Sequence, residues 1–412
     1  MTLLINADRL RADFEALSQI GATGDGGVDR PCWSPAHLEA QRWWLGRAAE
    51  AGLAPHTDPA GNVSAVWPSA QPGARTLLVG SHTDSVPRGG RFDGALGVLA
   101  ALEAARSLRE AGLSLPVHIE VIDFADEEGT LLGLLGSKAL AGTLTAAALA
   151  APRGGRPALE AGMARAGVAE AGLLAARRDP AGLAGYLELH IEQGPTLMRN
   201  AIPIGVVQGI VGIRSLRLTY HGQANHAGTT PMDQRLDASL GAAAFTLTAR
   251  ELVLRDFPGC TLNIGHVRLA PGAFNIIPGT AELGVEFRAP DLGRLDDLQS
   301  VLLGLADVVG RQFGLTPQAE ALAGDCAPTP LGARAIAALT AAADSLALRH
   351  TTLFSGAGHD AMSLAPLTEA GMVFIPSRAG VSHAPQEFSE WEDCVNGANV
   401  LLRAALALAS AP

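Results

Sequence analysis

The apolar run Thr76-Leu77-Leu78-Val79 ends in Gly80-Ser81-His82-Thr83-Asp84, and this junction constrains the fold more than any other feature. A short apolar run closed by glycine and polar residues is typical of a strand buried within a parallel sheet. In open α/β sheets, ligands bind beyond the carboxyl ends of such strands. The junction therefore predicts an α/β fold that presents His82 and Asp84 at the carboxyl edge of its sheet.

Strand and helix patterns alternate through the first third of the chain. Residues 35–52 and 95–111 have the spacing of helices, and residues 63–67, 76–80 and 117–124 have the spacing of strands. This alternation predicts a mostly parallel sheet with flanking helices. Residues 138–180, rich in Ala, Leu and Gly, are expected to form short helices that cover the sheet.

The pattern changes near residue 212, where apolar and polar residues alternate as in a half-exposed antiparallel strand. A helix over about 233–255, strands around 261–268 and 280–288 and a helix near 293–311 are predicted to follow. We therefore expect an inserted α+β (ferredoxin-like) domain over residues 212–327. Residues 1–211 and 328–412 would form the catalytic, metal-binding domain, and 412 residues are enough for two cores.

Charge and cysteine content exclude some classes of protein. A net charge of −11 argues against a nucleic-acid surface. The four cysteines form no CxxC pair, which indicates a reduced, cytoplasmic setting rather than a disulfide framework. The N-terminus lacks the pattern of a signal peptide, and no apolar run reaches 18 residues. The sequence thus predicts a soluble protein with no membrane partner.

Side chains with the chemistry of metal ligands recur at strand ends and glycine-bounded turns. Two divalent ions held about 3.5–4 Å apart need roughly four to six protein ligands, one of them a shared carboxylate. A single histidine in such a position is often only a core or surface residue with no metal. Together they predict a site for two ions of Zn, Mn, Co or Ni, because no cysteine is among them. The five candidates are His82, Asp93, Glu128, His190 and His383.

Two further carboxylates accompany these candidates. Asp84 is expected to accept a hydrogen bond from the ring nitrogen of His82 that does not face the metal; the alternative is an Asp that caps a turn. Glu127 and Glu128 are adjacent, so they cannot perform the same task. We expect Glu128 to bind metal while Glu127 faces the substrate as a general base, with a pKa raised by apolar surroundings. The alternative for this pair is a solvated acidic loop.

Three longer strings identify a family. They are His190-Ile191-Glu192-Gln193-Gly194-Pro195, Ala224-Asn225-His226-Ala227-Gly228-Thr229-Thr230-Pro231-Met232 and Ser355-Gly356-Ala357-Gly358-His359-Asp360-Ala361. With them, the chain from about residue 30 onward resembles the M20 family of metallopeptidases and amidases, specifically its carbamoylase branch. That branch includes N-carbamoyl-L-amino acid hydrolases, allantoate amidohydrolases and β-ureidopropionases.

The resemblance implies roles for the site residues. His82 and His190 would each bind one side of a metal pair that Asp93 bridges, while Glu128 and His383 would complete the second metal. Glu127 would be the general base, and His226 would stabilise the oxyanion. The residues that would hold the substrate are Gln193, Asn275, Arg288, Gly358 and His359.

The resemblance also implies an assembly. The inserted domain would act as a lid and would form a homodimer, because in the family His226 commonly reaches the site from the partner subunit. The sequence does not determine whether His226 acts within its own chain or across the dimer.

The chain departs from the family pattern at a few positions. Gly129-Thr130-Leu131-Leu132 follows the acidic pair, where many relatives carry an arginine and an aromatic residue. Gln223 stands where an acid is frequent, and Arg378 beside the last ligand is a second candidate for binding an anion. None of these positions is a predicted metal ligand.

Hydrolysis of an N-carbamoyl-L-amino acid to the amino acid, ammonia and carbon dioxide is the leading functional prediction. The alternative is an allantoate or related ureide amidohydrolase of purine degradation. An aminoacylase or dipeptidase is disfavoured by the strings around His190 and His226. A binder of small molecules without catalysis is disfavoured by the retained Glu127.

Overall fold

The computed structural model describes residues 3–322 and 324–410. The chain forms two compact units: the first runs to Gln208 and resumes at Pro330, and the second spans Gly209–Thr329. The predicted boundaries, 211/212 and 327/328, differ from these by two or three residues. The outermost residues of the predicted catalytic domain, Met1 and Pro412, lie outside the described residues.

The described residues contain strands and helices that are numbered here in chain order. The strands are β1 (Ala54–Thr57), β2 (Val63–Trp67), β3 (Thr76–His82), β4 (His118–Phe124), β5 (Leu183–Ile191), β6 (Ile204–Ile210), β7 (Gly212–His221), β8 (Thr261–Ala270), β9 (Thr280–Ala289), β10 (Thr316–Ala321), β11 (Thr329–Pro330), β12 (His350–Ser355) and β13 (Ala370–Ile375). The helices are α1 (Ala7–Leu17), α2 (Pro35–Glu50), α3 (Ala95–Glu110), α4 (Leu135–Ala141), α5 (Ala146–Ala150), α6 (Arg156–Ala166), α7 (Glu170–Ala175), α8 (Thr196–Arg199), α9 (Ala238–Asp256), α10 (Leu292–Phe313), α11 (Ala333–Ser345), α12 (Ala361–Leu364) and α13 (Trp391–Ser410).

The main sheet has the strand order β1-β2-β4-β3-β5-β13-β6-β11, and β12 pairs with β6. Its centre is parallel, since β3 runs parallel to β4 and β5, and β5 runs parallel to β13. The flanking pairs β1–β2, β2–β4 and β13–β6 are antiparallel. The predicted fold class, a mostly parallel sheet with helices and an added α+β domain, is confirmed.

Helix α3 sets the geometry just beyond β3. Every residue from Ala95 to Leu108 is buried, because alanines and leucines on all sides of this helix pack against neighbouring elements. The helix follows Gly94, which has a φ of 62°. A Cβ at Gly94 would lie 2.4 Å from the ring of His82, so only glycine allows this turn to approach the histidine.

The second unit is a four-stranded antiparallel sheet with the order β10-β7-β9-β8. On β9 the apolar residues Ala281, Leu283, Val285 and Phe287 belong to the core of this unit, together with residues of α9 and α10. β10 was not predicted from the sequence, because Thr316–Ala321 has no large apolar side chain and contains Pro317, which suits only an edge strand. With β10 included, the order β-α-β-β-α-β matches the predicted ferredoxin-like domain.

The cysteines and the helices were expected to form neither disulfides nor membrane spans. Cys32, Cys260, Cys326 and Cys394 are all free thiols. None of the helices within residues 3–322 and 324–410 combines the length and the apolar composition that crossing a membrane requires.

Candidate metal centre

Two neighbouring strands deliver histidines to the same edge of the main sheet. β3 ends at His82, and β5 carries His190 one residue before its end. Because these strands are parallel neighbours, their carboxyl ends meet. The two imidazole centroids lie 5.9 Å apart. The edge of the sheet that the sequence indicated therefore holds both histidines.

Asp93 lies between these histidines and a second pair of side chains. Its Oδ1 atom is 3.0 Å from Nε2 of His190 and 3.6 Å from Nε2 of His82. Its Oδ2 atom is 3.3 Å from Nε2 of His383, which is also 3.3 Å from Oε2 of Glu128. Both His82 and His190 thus face Oδ1, whereas the family resemblance implied one histidine on each side of the metal pair.

These five side chains form two overlapping groups of ligand atoms. One group is His82, Asp93 and His190, and the other is Asp93, Glu128 and His383; within each group the ligand atoms lie within 4.8 Å of one another. A carboxylate shared by two groups is how proteins hold two cations close together. The arrangement therefore suits divalent metal.

The hydrogen bonds of the two histidines indicate that the site fits a cation. Nδ1 of His82 lies 3.0 Å from the carbonyl oxygen of Asp84, and Nδ1 of His190 lies 2.9 Å from that of Ile191. A carbonyl oxygen can only accept, so each Nδ1 carries a proton and, when the ring is neutral, its Nε2 presents a lone pair. Among the described residues, neither buried Nε2 atom has a hydrogen-bond partner. Lone pairs that face the oxygen of Asp93 require a cation between them.

The pKa values at the site show that, without metal, a proton on His190 takes the place of the cation beside Asp93. Burial lowers the pKa of His82 to about 4, so its ring is neutral at pH 7. Burial acts in the same direction on His190, but the adjacent Asp93 carboxylate outweighs it and raises the pKa of His190 to about 9. Burial opposes ionisation of Asp93, yet the adjacent imidazoles of His190 and His383 hold its pKa well below the usual range. A divalent ion would replace the proton on His190, because metal ligation needs neutral imidazole.

Glu127 and Glu128 point to different partners. Oε2 of Glu127 is 3.6 Å from Nε2 of His82, whereas Glu128 approaches His383. Burial, followed by repulsion from Glu128, raises the pKa of Glu127 well above its usual value. Burial and the charge of Asp93 do the same for the pKa of Glu128. The side chain of Glu127 is only 8% exposed, so the pair is not a solvated acidic loop.

Asp84 has a different task from the predicted one. The partner of Nδ1 of His82 is the backbone carbonyl of Asp84, and the nearest carboxylate oxygen is 3.7 Å away. The carboxylate instead accepts the backbone N–H groups of Glu127 and Glu128, at 3.3 Å each. The prediction of a carboxylate–histidine bond is therefore wrong. It failed because the chain turns after His82 and brings the carbonyl group, rather than the side chain, to the ring.

Gln193 also lies at this centre. Its backbone has a φ of 56°, and its Nε2 atom donates to Oδ2 of Asp93 at 2.8 Å and to Oγ of Ser382 at 3.2 Å. Its Oε1 atom is buried and has no hydrogen-bond partner among the residues that the structure describes. The amide thus holds Asp93 and leaves one acceptor unused.

His359 lies beside His190, with the two ring centroids 4.4 Å apart. Its Nε2 atom is 2.9 Å from Oγ of Ser355, and its buried Nδ1 atom lacks a partner within the described part of the chain. The adjacent Gly358 has open space where a Cβ would point. Both residues were predicted to bind substrate; His359 is buried against the metal centre, and Gly358 borders open space.

The second unit carries the other three predicted residues at two separate places. His226 forms an isolated bridge with Ile276, and the carbonyl of Asn275 accepts the N–H of Ala227, so His226 and Asn275 are neighbours. Arg288 is near the far end of β9 and donates to Oε1 of Glu286 from Nε and Nη2, at 3.0 and 2.8 Å. One unit therefore does not bring all three residues together.

The departures from the family pattern have local explanations. Leu131 is buried in an apolar cluster that includes Trp33. It therefore extends the core in the segment where many relatives carry an arginine. Arg153, from the loop after α5, donates to the carbonyl of Gly129 at 2.9 Å. Arg378 is paired with Glu390 at 2.6 Å and stacks on Phe388, so its guanidinium is engaged. Gln223 is an exposed residue of the second unit.

Sequence reasoning missed two buried glutamates at the centre. Glu188 accepts from Ser81 and Tyr186 and forms a further candidate ligand group with His190 and His359. Its position two residues before His190 on β5 was a usable signal, because such residues share a face of a strand. Glu387 lies in an irregular segment, where no periodicity marks a side chain as buried.

Comparison with known proteins agrees with these features. The family model described as peptidase family M20/M25/M40 matches residues 78–407. A protein named N-carbamoyl-L-amino-acid amidohydrolase from Paenarthrobacter aurescens is 37% identical, and the match covers 98% of each chain. Allantoate deiminase 1 from Glycine max is 34% identical, over 90% of this chain and 84% of that protein.

A solved structure gives the same result. A hydantoinase/carbamoylase family amidase from Burkholderia multivorans superposes with a TM-score of 0.92 at 33% identity, and the match covers 100% of both chains. The predicted resemblance to the carbamoylase branch is thereby confirmed. The chain belongs to peptidase family M20/M25/M40.

Proposed function

We propose that this protein is a metal-dependent amidohydrolase that cleaves the carbamoyl C–N bond of an N-carbamoyl-L-amino acid. The products are the amino acid, ammonia and carbon dioxide. The single observation that carries the proposal is the position of the Asp93 carboxylate between two groups of ligand atoms. His82 and His190 face its Oδ1 atom, and His383, which is grouped with Glu128, faces its Oδ2 atom. Two proteins named N-carbamoyl-L-amino-acid amidohydrolase, 37% and 36% identical over 98% and 97% of this chain, support the substrate class.

The metal ligands in this proposal are His82, Asp93, His190, Glu128 and His383, which would hold two divalent ions of Zn, Mn, Co or Ni. Such ions polarise the substrate carbonyl and make water more acidic. The His and carboxylate donor set, with no thiolate, accepts each of these metals.

Glu127 moves the proton in this proposal. Its carboxylate is buried beside His82 but belongs to neither group of ligand atoms. The raised pKa suits a group that takes a proton from the attacking water and returns it to the leaving nitrogen. Attack at the ureido carbonyl forms the new C–O bond, and the C–N bond to the amino acid then breaks. The carbamic acid that remains divides into ammonia and carbon dioxide.

His226 is proposed to stabilise the negative charge that develops on the carbonyl oxygen. The N–H of Gly228 donates to its Nδ1 atom at 3.0 Å. In the neutral ring, Nδ1 is therefore the acceptor and Nε2 carries the proton. His226 is exposed, so this Nε2–H is available as a donor to an oxyanion.

The remaining predicted residues are proposed to hold the substrate. The unpaired Oε1 atom of Gln193 suits the N–H groups of a ureido substrate, because a buried acceptor gains most from a donor. Arg288 suits the α-carboxylate, which an arginine fork binds through two parallel bonds. Asn275 is proposed to act together with its neighbour His226, and Gly358 and His359 would contact the substrate beside His190.

A homodimer formed through the second unit completes this proposal. α9 exposes Leu240, Leu247 and Leu254, which share one helical face because they are spaced by seven residues. β8 is an edge strand, and a groove of about 400 Å³ between α9 and β8 is lined by Leu247, Val267 and Leu269. We propose that a second copy of the chain covers this apolar helix face and open strand edge.

The test is a substrate panel read by ammonia release. Protein treated with a chelator and reloaded with Mn²⁺, Co²⁺ or Zn²⁺ is incubated with N-carbamoyl-L-amino acids, N-carbamoyl-D-amino acids, allantoate and dipeptides. We expect turnover of the L-carbamoyl compounds only after reloading, with two ions per chain by elemental analysis. Preferential turnover of allantoate would replace the proposed substrate by the alternative ureide. No more than one ion per chain at saturating metal would contradict the shared carboxylate.

A further inference from the structure

Glu387 is a buried carboxylate that connects two distant segments of the metal centre. Its Oε1 atom accepts the backbone N–H groups of Phe92 and Asp93, both at 3.0 Å, and its Oε2 atom accepts the hydroxyl of Ser382 at 2.7 Å. The residue is 3% exposed. One side chain therefore fixes the turn that carries Asp93 and the turn that carries His383, although almost 300 residues separate the two in sequence.

The main chain around residue 90 is shaped to receive this carboxylate. A Cβ at Gly90 would lie 2.0 Å from Oε1 of Glu387, so any side chain at this position would displace the glutamate. The accepted N–H groups lie immediately before α3, where the positive end of a helix favours a carboxylate. The contact thus depends on a glycine, a helix start and a glutamate together.

Ser382 extends the connection to the ligand atoms. Its hydroxyl has one proton, and the shortest contact of Oγ is with Glu387. Oγ in turn accepts from Nε2 of Gln193 at 3.2 Å and lies 3.3 Å from Oδ2 of Asp93. The next residue, His383, has a φ of 55°, in the left-handed region. Glu387 therefore orients the Ser382 hydroxyl, which lies beside the Asp93 carboxylate and directly precedes His383 in the chain.

Stability alone does not explain a carboxylate at this position. A buried carboxylate costs free energy that neutral donors only partly offset, and no Lys or Arg is paired with Glu387 among the described residues. The two turns that it joins each carry one member of the group Asp93, Glu128 and His383. Groups that orient metal ligands typically change metal affinity by about 10–100-fold when removed.

We propose that Glu387 is a positioning residue that holds the Asp93 turn and the Ser382–His383 turn together for metal binding, without being a ligand itself. This inference rests on the metal site of the proposed function. It does not depend on the substrate, because its consequence is metal affinity.

The experiment compares metal binding by full-length wild type, Glu387→Ala, Glu387→Gln and a control, Glu369→Gln. Glu369 also accepts backbone N–H groups at a helix start, those of Arg334 and Ala335, but it lies outside the metal centre. Metal-free proteins are titrated with Mn²⁺ by calorimetry, and bound metal is counted after gel filtration. The apo-proteins are also compared by circular dichroism and thermal unfolding.

We expect Glu387→Ala to lower the affinity for the weaker-bound ion by about 10–100-fold, and Glu387→Gln to lower it less, because an amide oxygen still accepts the two N–H groups. Glu369→Gln should bind as wild type does. At saturating metal, Glu387→Ala should regain turnover with an unchanged KM. Folded Glu387→Ala and Glu387→Gln that both bind metal with wild-type affinity and stoichiometry would overturn the inference. A wild type that binds two ions but hydrolyses no carbamoyl amino acid would refute the proposed substrate and leave the role of Glu387 standing.

Discussion

Arg288 and Asn275 lie at opposite ends of the same strand, β9. Asn275 precedes the strand and sits beside His226, whereas Arg288 is its penultimate residue. The residues from Thr280 to Arg288 extend over roughly 26 Å at about 3.3 Å per residue. A carbamoyl amino acid is too small to contact both ends, so a single second unit cannot supply both residues to one substrate. If both contact the substrate, two chains must contribute to each site.

Mixing inactive variants tests this consequence. His226→Ala and Arg288→Ala are expected to be nearly inactive alone, but a mixture allowed to exchange subunits should recover about a quarter of wild-type activity. Half of the dimers would be mixed, and one of their two sites would be complete. His226→Ala mixed with Glu127→Gln should recover for the same reason.

A matched mixture serves as the control for this test. His226→Ala with Asn275→Ala should not recover, because both residues lie at the same end of β9 and arrive together from one chain. Recovery in this control, or none in the other mixtures after demonstrated subunit exchange, would contradict a shared site. A fully active His226→Ala protein would remove the oxyanion role itself.

The division of labour between the adjacent glutamates gives a second prediction. Glu127→Gln should retain metal and substrate binding but lose about 10²–10⁴-fold in kcat, because an amide cannot take the proton of the attacking water. Glu128→Gln should instead lower metal occupancy, since its carboxylate approaches His383. Metal content and kcat are measured on both purified variants. Equal loss of metal in both, with activity in proportion to metal, would contradict the assignment.

The sequence predicted which candidate ligand side chains lie together better than it predicted the contacts that support them. His82 and His190 were predictable because strand periodicity and the parallel order of β3 and β5 place them at one edge. The role of the Asp84 carboxylate was not predictable, because it depends on the turn after His82. Glu387 was missed for a related reason, since its partners are backbone N–H groups almost 300 residues away. Contacts with the backbone leave little trace in residue type or spacing.

A third prediction concerns the buried Asp123 on β4. Burial raises its pKa to about 7, against the hydrogen bond that Thr83 donates to it. The folded chain therefore holds this proton more tightly than the unfolded chain, whose pKa is near 3.8. This contribution to stability is present below about pH 4, falls as the pH rises to about 7, and is constant above that.

Asp123→Asn isolates this effect, because the amide does not titrate. We expect the free energy of unfolding of the variant, relative to wild type, to rise by about 2–3 kcal/mol between pH 5 and pH 8. Denaturant unfolding of both proteins at the two pH values measures the difference. A difference that does not change with pH would show that Asp123 titrates in the folded protein as it does in the unfolded chain.

The last prediction concerns how Arg288 recognises the substrate. Its Nε and Nη2 atoms both contact Oε1 of Glu286, so a substrate carboxylate would bind beside a carboxylate that is already present. Arg288→Lys keeps the charge but loses the planar fork, so we expect KM for an N-carbamoyl-L-amino acid to rise about 10-fold or more while kcat changes little. An N-alkylurea that lacks the α-carboxylate is the control substrate, and its kcat/KM should be the same for both proteins. If Arg288→Lys weakened the urea and the carbamoyl amino acid equally, Arg288 would be supporting the fold of the second unit rather than binding the carboxylate.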